Sequence, residues 1–186
     1  MIFPHKKKLN NAGYTLVELI VVIAIMGVLV GGVTIGAGLA FSKDASRCAT
    51  RLNDEIYEAR MNSMSKAGRY TLTVKNSGNA NEAVISCSDI TPAIDDKVMY
   101  LDDSENDKKT EIKVYFRKEG AASEEEKSLP VTIQFDKAKG NATVSAAGVE
   151  LGEGILIFKI EAKRGQREAK VQLVTSTGKH TIGEFN

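Results

Sequence analysis

The sequence predicts an α+β fold: one long N-terminal helix, an apolar transmembrane half followed by an amphipathic half, packed on an antiparallel β-sheet. Three observations predict it. Residues 19–42 hold no charged side chain. Further on, Phe41, Ala45, Cys48, Leu52, Ile56, Ala59 and Ser63 recur at spacings of three and four, one face of a helix. After Gly68, β-branched residues alternate with polar ones in short runs broken by turn residues.

The uncharged run dominates the N-terminal third. As helix it rises about 36 Å, more than the ~30 Å of a hydrocarbon core. A transmembrane helix is therefore expected over 14–42. Lys6, Lys7 and Lys8 precede it and would hold the N-terminus in the cytoplasm, leaving the rest of the chain outside. A secretory signal shares the basic start, but its apolar core is shorter and closes on a small-residue cleavage site that is absent here. Glu18 stands at the leading edge of the run, where an acid marks a functional position. Gly27 and Gly31, and Gly32 and Gly36, are each four apart, a spacing that lets helices approach closely.

The stretch Gly13-Tyr14-Thr15-Leu16-Val17-Glu18-Leu19 resembles the processing site of type IV prepilins and type II secretion pseudopilins. The resemblance implies cleavage after Gly13 by a prepilin peptidase, N-methylation of Tyr14, and Glu18 as the fifth mature residue. It also implies a structural filament subunit. Its partners would be other pilin or pseudopilin subunits, an inner-membrane platform protein, an assembly ATPase and, before assembly, membrane lipid. Cleavage turns the Tyr14 nitrogen from an amide into an amine that is mostly cationic at neutral pH. Glu18 of one subunit is then expected to pair with that cation on a neighbour, since a buried charge is tolerable only when paired. The chain divides into a leader (1–13), the transmembrane and assembly helix (14–42) and a pilin-like head (43–186).

In the head, the helix is expected to run to about Ala67, with Lys66 in a basic last turn and Gly68 able to adopt positive φ. Strands are expected over 70–75, 83–87, 98–101, 112–116, 131–135, 142–144, 155–160 and 169–174, with a last one after Gly178. Residues 102–107 are acidic and could offer oxygen ligands to calcium, but do not fit an EF-hand loop, so a solvated loop is expected. Residues 121–127, with three consecutive glutamates, read as an exposed loop. The C-terminal strands resemble, more loosely, the GspH/FimT-like minor pilins and pseudopilins.

Cleavage would leave 22 basic against 24 acidic residues, a balance that gives no global case for nucleic-acid binding. Locally, Lys159, Lys163, Arg164, Arg167, Lys170 and Lys179 outnumber the nearby acids, and DNA capture through this region is the alternative function; a membrane-anchored chain that never polymerises is another. Cys48 and Cys87 can form one disulfide in an outward-facing domain, or stay as buried thiols. Their expected positions, on the helix stripe and on a covering strand, predict a separation short enough to bridge. Nucleotide, metal and hydrolase motifs are absent, so no enzyme activity and no cofactor is expected.

Overall fold

The computed structural model describes residues 15–103, 105–106, 108–163 and 168–183, with the side chains of 28–42 left aside. Among the described residues one helix, α1 (Leu16–Ser65), precedes eleven strands. The chain divides into two compact units, Met1–Leu39 and Ala40–Asn186.

The strands are β1 (Arg69–Asn76), β2 (Asn81–Ser88), β3 (Lys97–Tyr100), β4 (Thr110–Lys118), β5 (Glu125–Lys127), β6 (Val131–Phe135), β7 (Ala142–Ala146), β8 (Val149–Glu150), β9 (Gly154–Ala162), β10 (Glu168–Val174) and β11 (Lys179–Ile182). They form two antiparallel sheets in the second unit. The first has the order β3-β2-β1-β6-β7-β8, the second β11-β10-β9-β4-β5. The single sheet expected from the sequence is thus two. Period-2 alternation places each strand's apolar side chains on one face: Leu72 and Val74 in β1, Ile112, Val114 and Phe116 in β4, Leu156, Phe158 and Ile160 in β9. Those faces close one core around Ala45, Cys48, Ala49, Leu52, Ile56 and Ala59 of α1, the stripe read from the sequence. Gly68 ends the helical segment with φ +95°. Lys66 lies beyond Ser65, so the helix has no basic last turn.

The transmembrane half of the expected fold is overturned. Among the described residues no helix is long and apolar enough to cross a membrane. With the transmembrane half falls the expectation of a single-pass membrane protein held in lipid before assembly.

Two short strands were not expected. β5 lies in the acidic stretch read as a loop, where it pairs Glu125, Glu126 and Lys127 with Phe116, Tyr115 and Val114. An edge strand needs backbone pairing on one side only, so charged side chains suit it and discourage further pairing. β8 follows a two-residue turn at Ala147 and Gly148, both with positive φ, the geometry of a tight hairpin.

Asp102 corrects the reading of 102–107 as a solvated loop. It is 3% exposed. Its Oδ2 accepts from Asn81 Nδ2 at 2.6 Å and from the Asn81 backbone N–H at 3.3 Å. Its Oδ1 accepts from Thr110 N at 3.0 Å and from the Thr110 hydroxyl. Asn81 Nδ2 also donates to the Thr110 carbonyl at 3.0 Å. These bonds tie β2 of the first sheet to β4 of the second through one buried carboxylate. Next to it, exposed Asp103 pairs with Arg51 and Lys109. Partial burial pushes the Asp103 carboxyl up, but those two cations hold it below the usual range. Among the described residues no cluster of acids, histidines or cysteines could hold a metal ion.

Candidate processing and assembly site

Gly13 and Tyr14, the pair at which cleavage is expected, lie outside the described residues. Thr15 is the N-cap of α1 and Glu18 its third helical residue. Glu18 N donates to Thr15 Oγ1 at 3.3 Å. In return Glu18 Oε2 accepts from Thr15 N and from Thr15 Oγ1, each at 3.0 Å. This is a reciprocal capping box, and it satisfies two N–H groups that a helix start leaves unpaired. The carboxylate also faces the positive end of the helix dipole. Sequence reading assigned Glu18 to a neighbouring subunit and overlooked this local role. The signal was present, a threonine three residues before a glutamate ahead of an apolar run.

Behind the cap, nine large apolar side chains from Leu16 to Met26 are exposed, from 48% at Val22 to 76% at Leu16. They surround the helix rather than lining one side. A Cβ added at Gly27 would meet nothing within 4 Å. Gly31, Gly32 and Gly36 are in helical backbone, and their surroundings lie outside the described residues.

The deciding comparison falls on this same end of the chain. Residues 8–34 match the prokaryotic N-terminal methylation motif. This prepilin-type motif spans Gly13 and Tyr14, the capping box and the exposed apolar turns, and it is consistent with the broader prepilin and pseudopilin family. It supports a general prepilin-like or pseudopilin-like structural role. No curated protein and no solved structure matches the chain.

The remaining sequence candidates lie in the second unit. Cys48 and Cys87 are free. Cys48 is fully buried in the core, with the Thr110 hydroxyl 3.4 Å from its sulfur. Cys87 sits opposite Tyr70 in the β1–β2 ladder, with its sulfur near Gly68. Cys48 is thus 17 residues before the end of α1, a rise of about 25 Å, while Cys87 lies just past that end. Of the two alternatives the thiols stay free, and the expected proximity is not met, because the strand carrying Cys87 covers a different part of the helix.

Burial pushes the Cys48 thiol up to about 12. An unfolded thiol ionises near pH 8.5, so the unfolded state loses its proton first. Stability is then full below about pH 8.5 and falls as pH rises toward 12, by at most about 1.4 kcal/mol per pH unit. Urea titrations from pH 8 to 10.5 should show this decline, and Cys48→Ala should flatten it. A slope that persists in the variant would assign the decline to other groups.

The basic positions are not an open cationic surface. Lys159 pairs with Glu124 at 3.5 Å and lies over the Tyr115 ring, 4.2 Å from its centre. Lys170 is 3.9 Å from Glu168. Lys163 is exposed, and Lys179 follows the Thr177-Gly178 turn. Arg164 and Arg167 lie outside the described residues. With an acid beside each described lysine of the sheet face, phosphate contacts would meet repulsion as well as attraction.

Proposed function

We propose that this chain is a structural subunit of a type IV pilus or type II secretion-like filament, of the minor pilin or pseudopilin kind. It is cut after Gly13, N-methylated at Tyr14 and joined to other subunits through the first turns of α1. The observation that carries this reading is the match over 8–34, which falls where the chain holds a capped helix start and nine exposed apolar side chains. Apolar surface of that extent favours association, because each side chain removed from water contributes stability. The cap also suits the processing step. Its donor, Thr15 N, belongs to the Tyr14–Thr15 peptide bond, so cleavage one residue earlier leaves the capping box intact. The partners follow from the family: a prepilin peptidase, other pilin or pseudopilin subunits, and a platform protein with its assembly ATPase.

Intact-mass measurement of the chain from cells that contain a prepilin peptidase tests the proposal. The expected product lacks residues 1–13 and carries one methyl group on Tyr14. Gly13→Val should leave essentially all of the precursor uncut, because a branched side chain at the scissile bond blocks the approach of the peptidase. An uncut wild-type chain, or normal cleavage of Gly13→Val, would refute the assignment.

A further inference from the structure

The outer face of the second sheet carries its charges in sorted rows. Glu111 of β4, Glu161 of β9 and Glu168 of β10 are direct cross-strand partners. Two residues along each strand, Lys113, Lys159 and Lys170 are partners in the same way. The opposite face of these strands is core, with Ile112, Ile160 and Val171 buried. Three carboxylates therefore stand in one row and three ammonium groups in the next, about 7 Å away, with about 5 Å between strands.

For folding alone this order is a poor choice. Directly opposite residues are the nearest neighbours in a sheet, and like charges there are destabilising, whereas Lys opposite Glu would be favourable. Lys113 reaching Glu161 at 3.1 Å, Lys159 reaching Glu124 and Lys170 reaching Glu168 offset part of the repulsion. All of these lysines and glutamates nonetheless keep 26–43% of their side-chain surface open to solvent. Each can accept another partner from above.

A nucleic acid or an anionic surface would meet the acidic row together with the basic one. A fitting partner presents the two rows in reverse order. This face does so when turned by 180° about an axis lying in the face, between the rows and parallel to them. Lys113 then faces Glu111, Lys159 faces Glu161 and Lys170 faces Glu168, each pair made twice. We infer that a second copy of this chain docks here, face to face, about that two-fold axis. The contact closes on itself, so it couples chains in pairs and does not extend a filament. It is independent of processing at Gly13. Long lysine and glutamate side chains span the roughly 10 Å at which sheets stack.

Zero-length carbodiimide crosslinking of the full chain tests this. Nitrogen-15-labelled and unlabelled chains are mixed, coupled and digested, and peptides joining lysine to glutamate are sorted by isotope. The expected result is mixed-isotope Lys159–Glu161 and Lys113–Glu111 amides. Their yield should fall about tenfold between about 50 and about 500 mM salt, where screening shortens to a few ångströms. Lys159→Glu should abolish the mixed-isotope Lys113–Glu111 product, because it sets carboxylate against carboxylate twice. The exchange variant Lys159→Glu/Glu161→Lys should recover it, since the reversed centre remains self-complementary. Circular dichroism confirms that each variant is folded. Crosslinks confined to single-isotope peptides, a mixed-isotope yield unchanged by Lys159→Glu, or no recovery in the exchange variant would each overturn the inference.

Discussion

Replacing Asp102 by alanine should cost about 3–5 kcal/mol, a large share of a small domain's total stability. The carboxylate is 3% exposed and accepts from two backbone N–H groups, one side-chain amide and one hydroxyl. Alanine removes the acceptor and leaves the Asn81 and Thr110 donors in a space that solvent does not reach. Each unsatisfied buried donor costs on the order of 1–3 kcal/mol, and the losses are not fully additive. The substitution also cuts a tie between the two sheets, so they should loosen together. Asp102→Asn is the informative companion. It keeps one oxygen acceptor but sets an NH2 group against two donors, and should fall between alanine and the wild type. In urea, the midpoint should drop with little change in slope. A loss below about 1 kcal/mol for Asp102→Ala would mean that water replaces the carboxylate.

The second large effect is expected at Glu18, where two roles can be separated. One is the capping box of α1. The other is charge pairing with the Tyr14 amine of a neighbouring subunit after cleavage, the role implied by the family. Glu18→Ala removes both, and incorporation into filaments should fall by about an order of magnitude or more, because the neighbour's cation would be buried alone. Cleavage after Gly13 should continue, since the scissile bond precedes the cap. Glu18→Gln divides the roles. Glutamine serves at the third helical position of a capping box, so the helix start survives while the charge is lost. If Glu18→Gln assembles as poorly as Glu18→Ala, charge pairing drives recruitment. If Glu18→Gln assembles like the wild type, the cap is what matters. The measurement is the ratio of mature chain in sheared filaments to chain retained by cells, for each variant. Equal incorporation of all three would assign recruitment to the exposed apolar side chains alone.

Much of this fold is legible locally. The spacing of Ala45, Cys48, Leu52, Ile56 and Ala59 is a property of one helix and needs no partner to be seen. Strand β6 lies where its alternation places it, Val131–Phe135, and Gly68 stops the helix because positive φ suits glycine. The prepilin-type motif at 8–34 is likewise a matter of consecutive residues. The Thr15–Glu18 box is equally local, a threonine three residues before a glutamate at the start of an apolar run.

Tertiary structure decided the rest. β1 pairs with β6, dozens of residues away, and β4 with β9, so the strands separate into two sheets. No periodicity within a strand states which strand will lie beside it, because pairing depends on closing long loops and on the core that both sheets share. The same closure buries Asp102 in a stretch whose composition reads as solvated loop. It carries Cys87 past the end of α1, away from Cys48. It also aligns Glu111 with Glu161 and Glu168, and Lys113 with Lys159 and Lys170. Each of those side chains reads, in sequence, as an ordinary exposed charge, and only cross-strand register makes two rows of them, because register sets which charges stand nearest to one another.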